Sequence, residues 1–172
     1  MAVGSFEKCF RFVCRFEGGF VNDPKDPGGP TNLGITQATL SSFLGRAATI
    51  AEVKALTPDK AAPIYREKYW DSISGDDLPT GIDLLVFDYG VHAGPRQSVL
   101  ALQRVLRVVA DGRVGPRTIL AARKADPMKT IDALSNHRVE ALQKLKIWKD
   151  ERFHKGLISR VEKARKAALS MI

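Results

Sequence analysis

The chain has 172 residues, enough for one compact domain, or one domain with a small appendage, to bury a core without covalent staples, and too few for a second large domain. Its 44% hydrophobic and 27% charged residues match ordinary globular proteins and exclude disordered and fibrous classes. The net charge of +8 is uneven: residues 1–100 carry 10 Lys/Arg against 12 Asp/Glu, residues 101–172 carry 17 against 7, so the C-terminal part faces either an anionic partner or simply water.

In chain order, Phe6, Phe10, Val13 and Phe16 recur at helical spacing behind Ser5, a candidate N-cap, which predicts a first helix over 6–16. Cys9 and Cys14 lie five apart on it, a spacing of neither a zinc pair nor a redox motif, so both read as core or reduced surface thiols. From Gly18 to Gly34 the density of Gly and Pro allows only turns or a short β-ribbon. Loops of that length are uncommon in compact domains and often functional.

Thr36 then caps a helix to Leu44, and Thr49 with Glu52 has the form of a capping box opening a short helix to Leu56. Thr57-Pro58 starts another helix towards Trp70, with Pro63 as a point of kinking or shortening. Residues 76–81 are a turn, and Ile82–Val91 is a central helix, apolar on nearly all sides except Asp83 and Asp88. Gly94-Pro95 separates it from a helix through Arg107; Pro116 opens the next after a turn at 110–116, and two basic helices, 127–147 and 153–170, end the chain. No segment alternates like a strand, and the expected fold class is all-α.

Within the Gly/Pro-rich loop the groups able to do chemistry are Glu17, Asn22, Asp23, Asp26, Thr31, Asn32 and Thr36. Glycoside hydrolysis needs two carboxyls, a protonated acid for the leaving oxygen and an ionised partner that activates water or attacks the sugar. Glu17 and Asp26 fit those roles. Phe16 and Phe20 would set apolar rings beside Glu17, and Gly18-Gly19 would let a sugar chain approach the backbone. The same residues also fit a plainer account: a solvated Glu beside a helix C-cap, and an Asp-Pro turn. Scattered His92, His137 and His154 give no zinc motif, and no nucleophile elbow is present. Of the aromatics, Tyr65, Tyr69, Trp70, Tyr89 and Trp148 are mostly core by their spacing, with Tyr89 the best candidate to stack on a sugar.

The twenty residues from Glu17 to Thr36, Glu-Gly-Gly-Phe-Val-Asn-Asp-Pro-Lys-Asp-Pro-Gly-Gly-Pro-Thr-Asn-Leu-Gly-Ile-Thr, resemble the signature of glycoside hydrolase family 108, N-acetylmuramidases whose members also pass as secretion activators or phage-type lysozymes. The resemblance implies a lysozyme-like helical fold with a Gly/Pro-rich active-site loop. It also implies Glu17 as catalytic acid and cleavage of the β-1,4 bond between N-acetylmuramic acid and N-acetylglucosamine; no cofactor is called for, and the scattered histidines leave no metal expected. Asp26 nine residues on and Thr31 five further resemble the Glu/Asp/Thr set of phage lysozymes, where the second gap is one residue longer. Asp23 therefore stays open as the second carboxylate. Gly18, Gly19, Asn22, Asp23, Tyr89 and His92 are the candidate substrate-binding residues.

Phe87 to Pro95, Leu102-Gln103-Arg104 and Asp111 to Thr118 are similar to the predicted peptidoglycan-binding domain that accompanies this family, which usually has Asn where this chain has His92. Asp111 to Thr118 reads in addition as a turn that starts a helix. The expected organisation is a catalytic region over 1–92 and a basic helical region over 93–172, packed as one unit. Bacterial peptidoglycan is the expected partner, with no specific nucleic acid. The first residues lack a signal peptide's apolar core and no run reaches the ~18 apolar residues of a membrane span, so the expectation is synthesis in the cytoplasm and action on the wall after release, for instance through a holin-type pore. Competing readings are a lytic transglycosylase, a non-enzymatic wall-binding or secretion-regulating protein, and a nucleic-acid binder.

Overall fold

The computed structural model describes residues 5–23, 28–145, 148 and 150–172, with the side chains of 151–153 outside the description. Among these residues the α-helices are α1 (Phe6–Cys14), α2 (Gln37–Leu44), α3 (Ile50–Lys54), α4 (Pro58–Tyr65), α5 (Ile82–Ala93), α6 (Pro95–Val105), α7 (Pro116–Lys124), α8 (Pro127–Gln143) and α9 (Glu151–Leu169). Two two-residue strands, β1 (Thr31–Asn32) and β2 (Ile35–Thr36), are the exception to an all-α lysozyme-like architecture. None of the helices is long and apolar enough to cross a membrane.

The chain divides into two compact units, Phe10–Lys68 and the remainder, Met1–Cys9 with Tyr69–Ile172. In the smaller unit the glycine-rich segment forms a ribbon: Val21 bridges Thr31, and β1 pairs antiparallel with β2 with Thr31 opposite Thr36. Asn32 anchors this ribbon. It is 6% exposed, and its Nδ2 donates to the carbonyls of Val53, Lys54 and Leu56 at 3.0, 3.1 and 3.3 Å, at the end of α3 and just beyond, where Val53 also takes the Leu56 amide at 3.2 Å. Thr36 caps α2 by accepting from the Thr39 amide, and Thr49 with Glu52 forms the full capping box. α4 ends at Tyr65, two residues past Pro63, and the chain continues as a π-helical turn over Arg66–Trp70. The shortening follows from the missing Pro63 amide and the bulk of its ring against the preceding turn.

In the larger unit α5 is the central element, packed by α6, α8 and α9. Every residue from Ile82 to Gly90 is buried, which explains why its sequence is apolar all round. Phe6, Trp70 and Phe87 meet edge to face with centroids 5.3 to 6.0 Å apart. The two buried carboxylates of α5 are held differently. Asp83 accepts from Ser5 Oγ at 2.5 Å and from the Gly81 and Leu84 amides at 2.7 Å. Asp88 lies between Arg138 of α8, at 2.5 Å, and Arg160 of α9, at 2.9 Å. Ser5 thus spends its hydroxyl proton on Asp83, while its carbonyl takes the Cys9 amide at 2.9 Å.

Candidate active site

The predicted first helix runs two residues short of Phe16. The amides of Phe16 and Glu17 bond back to Val13 and Cys14 at 2.9 and 3.3 Å, a tightened turn that ends α1 and sets Glu17 at the mouth of the ribbon. The opposite arm is tied to it by the Leu33 amide, which donates to the Gly18 carbonyl at 3.0 Å. Between the arms lies Gly34, at φ +70°. A Cβ placed on Gly34 would stand 2.5 Å from Glu17 Oε2 and 2.6 Å from the Tyr65 hydroxyl oxygen. Glycine is required here twice over, by the left-handed backbone and by the close approach of two oxygens to its α-carbon.

Tyr65 is 1% exposed; its hydroxyl donates to the Leu33 carbonyl at 2.8 Å, and its ring packs on Phe10 at 5.3 Å. The phenol therefore braces the Leu33-Gly34 turn from within while its oxygen shares the Gly34 surface with the carboxylate of Glu17. Glu17 itself is half-buried, and Cys14 lies close enough that burial first, and the charge of Glu17 second, push its thiol up to about 11. A thiol so held stays protonated and serves packing rather than nucleophilic attack. Cys9 is buried and likewise pushed up, by burial and then by Asp83.

Gly18 and Gly19 behave differently from Gly34. Both are exposed, neither has a positive φ, and a Cβ on either would meet no atom within 4 Å. They present bare backbone next to Glu17, the surface an extended chain needs for close approach. Asn22 and Asp23 are exposed just beyond, and Asp26 lies outside the described residues. Thr31 donates its hydroxyl to the Gly29 carbonyl at 3.0 Å, leaving the oxygen's lone pairs to accept.

The smaller unit thus brings Glu17, Gly18 and Gly19 to one arm of the ribbon and Thr31 to the other. Tyr89 and His92 belong to the larger unit. Tyr89 is 9% exposed, and the Arg138 guanidinium sits 5.2 Å from its ring centroid, so its place is packing in the core. His92 is exposed at the last turn of α5; partial desolvation of its ring, then the charges of Arg138 and Arg160, lower its pKa and keep it neutral at physiological pH. Asn32 is the ribbon anchor described above. Tyr65 was legible only as one aromatic among several.

The Asp111–Thr118 segment is a turn built around buried Gln103. Its Nε2 donates to Asp111 Oδ1, the Arg113 carbonyl and Thr118 Oγ1 at 2.8, 2.9 and 3.2 Å, and its Oε1 accepts the Gly112 amide at 2.8 Å. Among the described residues no group of three His, Cys, Asp or Glu is placed to hold a metal ion.

Residues 10–94 match the family model described as Glycosyl hydrolase 108, and residues 97–162 match that of a predicted peptidoglycan domain. Among solved structures the chain is similar to Brucella abortus SagA, with 46% identity over 99% of this chain and 97% of that one and a TM-score of 0.85. No curated protein matches it. A glycosidase region carrying the Glu17 ribbon is thus followed by a peptidoglycan domain carrying the Gln103 turn, and the chain belongs to glycosyl hydrolase family 108.

Proposed function

We infer that this chain is an N-acetylmuramidase that cleaves the β-1,4 bond between N-acetylmuramic acid and N-acetylglucosamine, with Glu17 as general acid. The observation that carries the reading is the seat of Glu17: half-buried against Gly34 and the Tyr65 hydroxyl, beside bare backbone at Gly18-Gly19, inside the family-108 match. Glu17 protonates the glycosidic oxygen as the bond breaks. An ionised carboxylate, Asp26 or else Asp23, stabilises the positive charge growing on the sugar or activates water. Thr31, its hydroxyl proton engaged by Gly29, orients that water through its lone pairs. Peptidoglycan is the substrate polymer, in keeping with the peptidoglycan domain that follows.

Zymography on purified peptidoglycan with wild type, Glu17→Gln, Asp23→Asn and Asp26→Asn tests this. Loss of the acid costs about 10²–10⁴-fold in rate, with the fold unchanged by circular dichroism, and the more damaging Asp variant identifies the second carboxylate. Wall clearing by Glu17→Gln at the wild-type rate would overturn the reading. Anhydro sugars among the wild-type products would replace hydrolysis with lytic transglycosylation.

A further inference from the structure

The larger unit carries a second surface with the character of a binding site. An open groove of about 690 Å³ runs along the turn between α6 and α7, lined by Arg107, Arg113 and Arg117, with Val108, Val109 and Pro116 as its apolar part. The three arginines are exposed, and none of their guanidiniums makes an ion pair among the described residues. The acidic residue in the lining, Asp111, is committed inward: it accepts from Gln103 Nε2 and from the Arg113 amide, and those bonds lower its pKa. The groove therefore carries three arginines against one carboxylate, and the charge of Arg113 acts on that Asp111, which leaves a net positive surface.

A second observation is independent of charge. α6 ends in a Schellman arrangement, with the Val108 amide on the Gln103 carbonyl at 3.0 Å and the Arg107 amide on the Arg104 carbonyl at 3.1 Å. The left-handed position of that motif, where glycine is favoured, is occupied by Arg107 at φ +55°. A long cation at a backbone position that favours glycine points to use of the side chain.

We propose that this groove binds the carboxylate-bearing stem peptide of peptidoglycan. Arg107, Arg113 and Arg117 pair with the peptide carboxylates, and Val108, Val109 and Pro116 meet its alanyl methyl groups. Guanidiniums suit carboxylates by their forked donors, and the small apolar lining suits a short peptide better than a sugar face. The proposal rests on peptidoglycan being the substrate, and it adds a peptide contact apart from the glycan-cleaving residues.

The test uses the full-length Glu17→Gln protein, which holds glycan without turning it over. Its binding to soluble disaccharide-peptide fragments is compared with its binding to peptide-free glycan, with and without Arg107→Gln, Arg113→Gln and Arg117→Gln. The triple variant is expected to lose about tenfold or more in affinity for the peptide-bearing fragments and to keep its affinity for bare glycan. Arg107→Gly is expected to raise the thermal midpoint by about 1–4 °C while weakening peptide binding, which separates lost function from lost fold. Equal affinity of parent and triple variant for the peptide-bearing fragments would overturn the groove assignment. So would displacement of the peptide by duplex DNA at matched charge, which would make the groove a general polyanion face. Either failure leaves the muramidase reading intact, since that reading stands or falls on wall clearing by wild type against Glu17→Gln and on the sugars released.

Discussion

At the scale of single residues, the candidate site turns on a contrast among glycines. Gly34 is held at φ +70° with the Glu17 carboxylate and the Tyr65 hydroxyl against its α-carbon, whereas Gly18 and Gly19 have ordinary backbone and open space. Gly34→Ala is therefore expected to cost about 1–3 kcal/mol in urea unfolding and to displace Glu17, lowering activity with it. Gly18→Ala is expected to stay within about 0.5 kcal/mol of wild type, and, on the proposed function, to lower activity only through the methyl it adds beside Glu17. Equal stability losses for the two would mean that crowding at Gly34 does not hold in solution. Glu17 stood out in the sequence as a candidate because its neighbours form a continuous motif. Tyr65 did not, because the carbonyl it serves belongs to a residue 32 positions away and nothing local marks a tyrosine whose hydroxyl will brace a distant turn.

At the scale of elements, helix starts were written locally and recovered accurately. Thr36, Thr49 and Thr57 each cap the helix expected of them, since capping needs only residues three or four apart. Helix ends were less legible: α1 stops at Cys14 and α4 at Tyr65, where competing i→i+3 and π-type bonds decide the last turn. The ribbon was foreseen as a permitted form of the Gly/Pro-rich segment, but its anchor was not. Asn32 stood among the residues able to do chemistry; the structure spends its amide on three backbone carbonyls at the end of α3 and just beyond. Asn32→Ala removes a buried side-chain donor from those carbonyls, of which that of Val53 keeps the Leu56 amide, and is expected to destabilise the chain by about 1–3 kcal/mol. Hydrogen exchange should then show loss of protection at Val21 and Thr31, whose amides pair across the ribbon at 2.8 and 2.9 Å. An unchanged exchange pattern would show that the ribbon stands without its anchor.

At the scale of the whole molecule, the sequence showed that α5 is buried on all sides, but not how it carries two carboxylates there. The answer for Asp88 comes from Arg138 and Arg160, 50 and 72 positions along the chain, a separation at which charge patterning is silent. Among the described residues no cation pairs with Asp83; it is held by a serine hydroxyl and two amides, and burial raises its pKa above the ordinary 3.8. The sign of the consequence follows from proton linkage. The folded chain holds this proton to higher pH than the unfolded chain, so the stability contributed by protonated Asp83 is present below pH 3.8 and is lost as pH rises through the raised value. Asparagine has the same shape, accepts the same two amides and donates to Ser5, without a charge to desolvate. Asp83→Asn is thus expected to have a higher urea midpoint than wild type at pH 7, with the difference shrinking as the solution is acidified towards pH 3.8. A difference that stayed constant with pH would mean that Asp83 ionises alike in the folded and unfolded chain, and that its three donors compensate fully for its burial in α5.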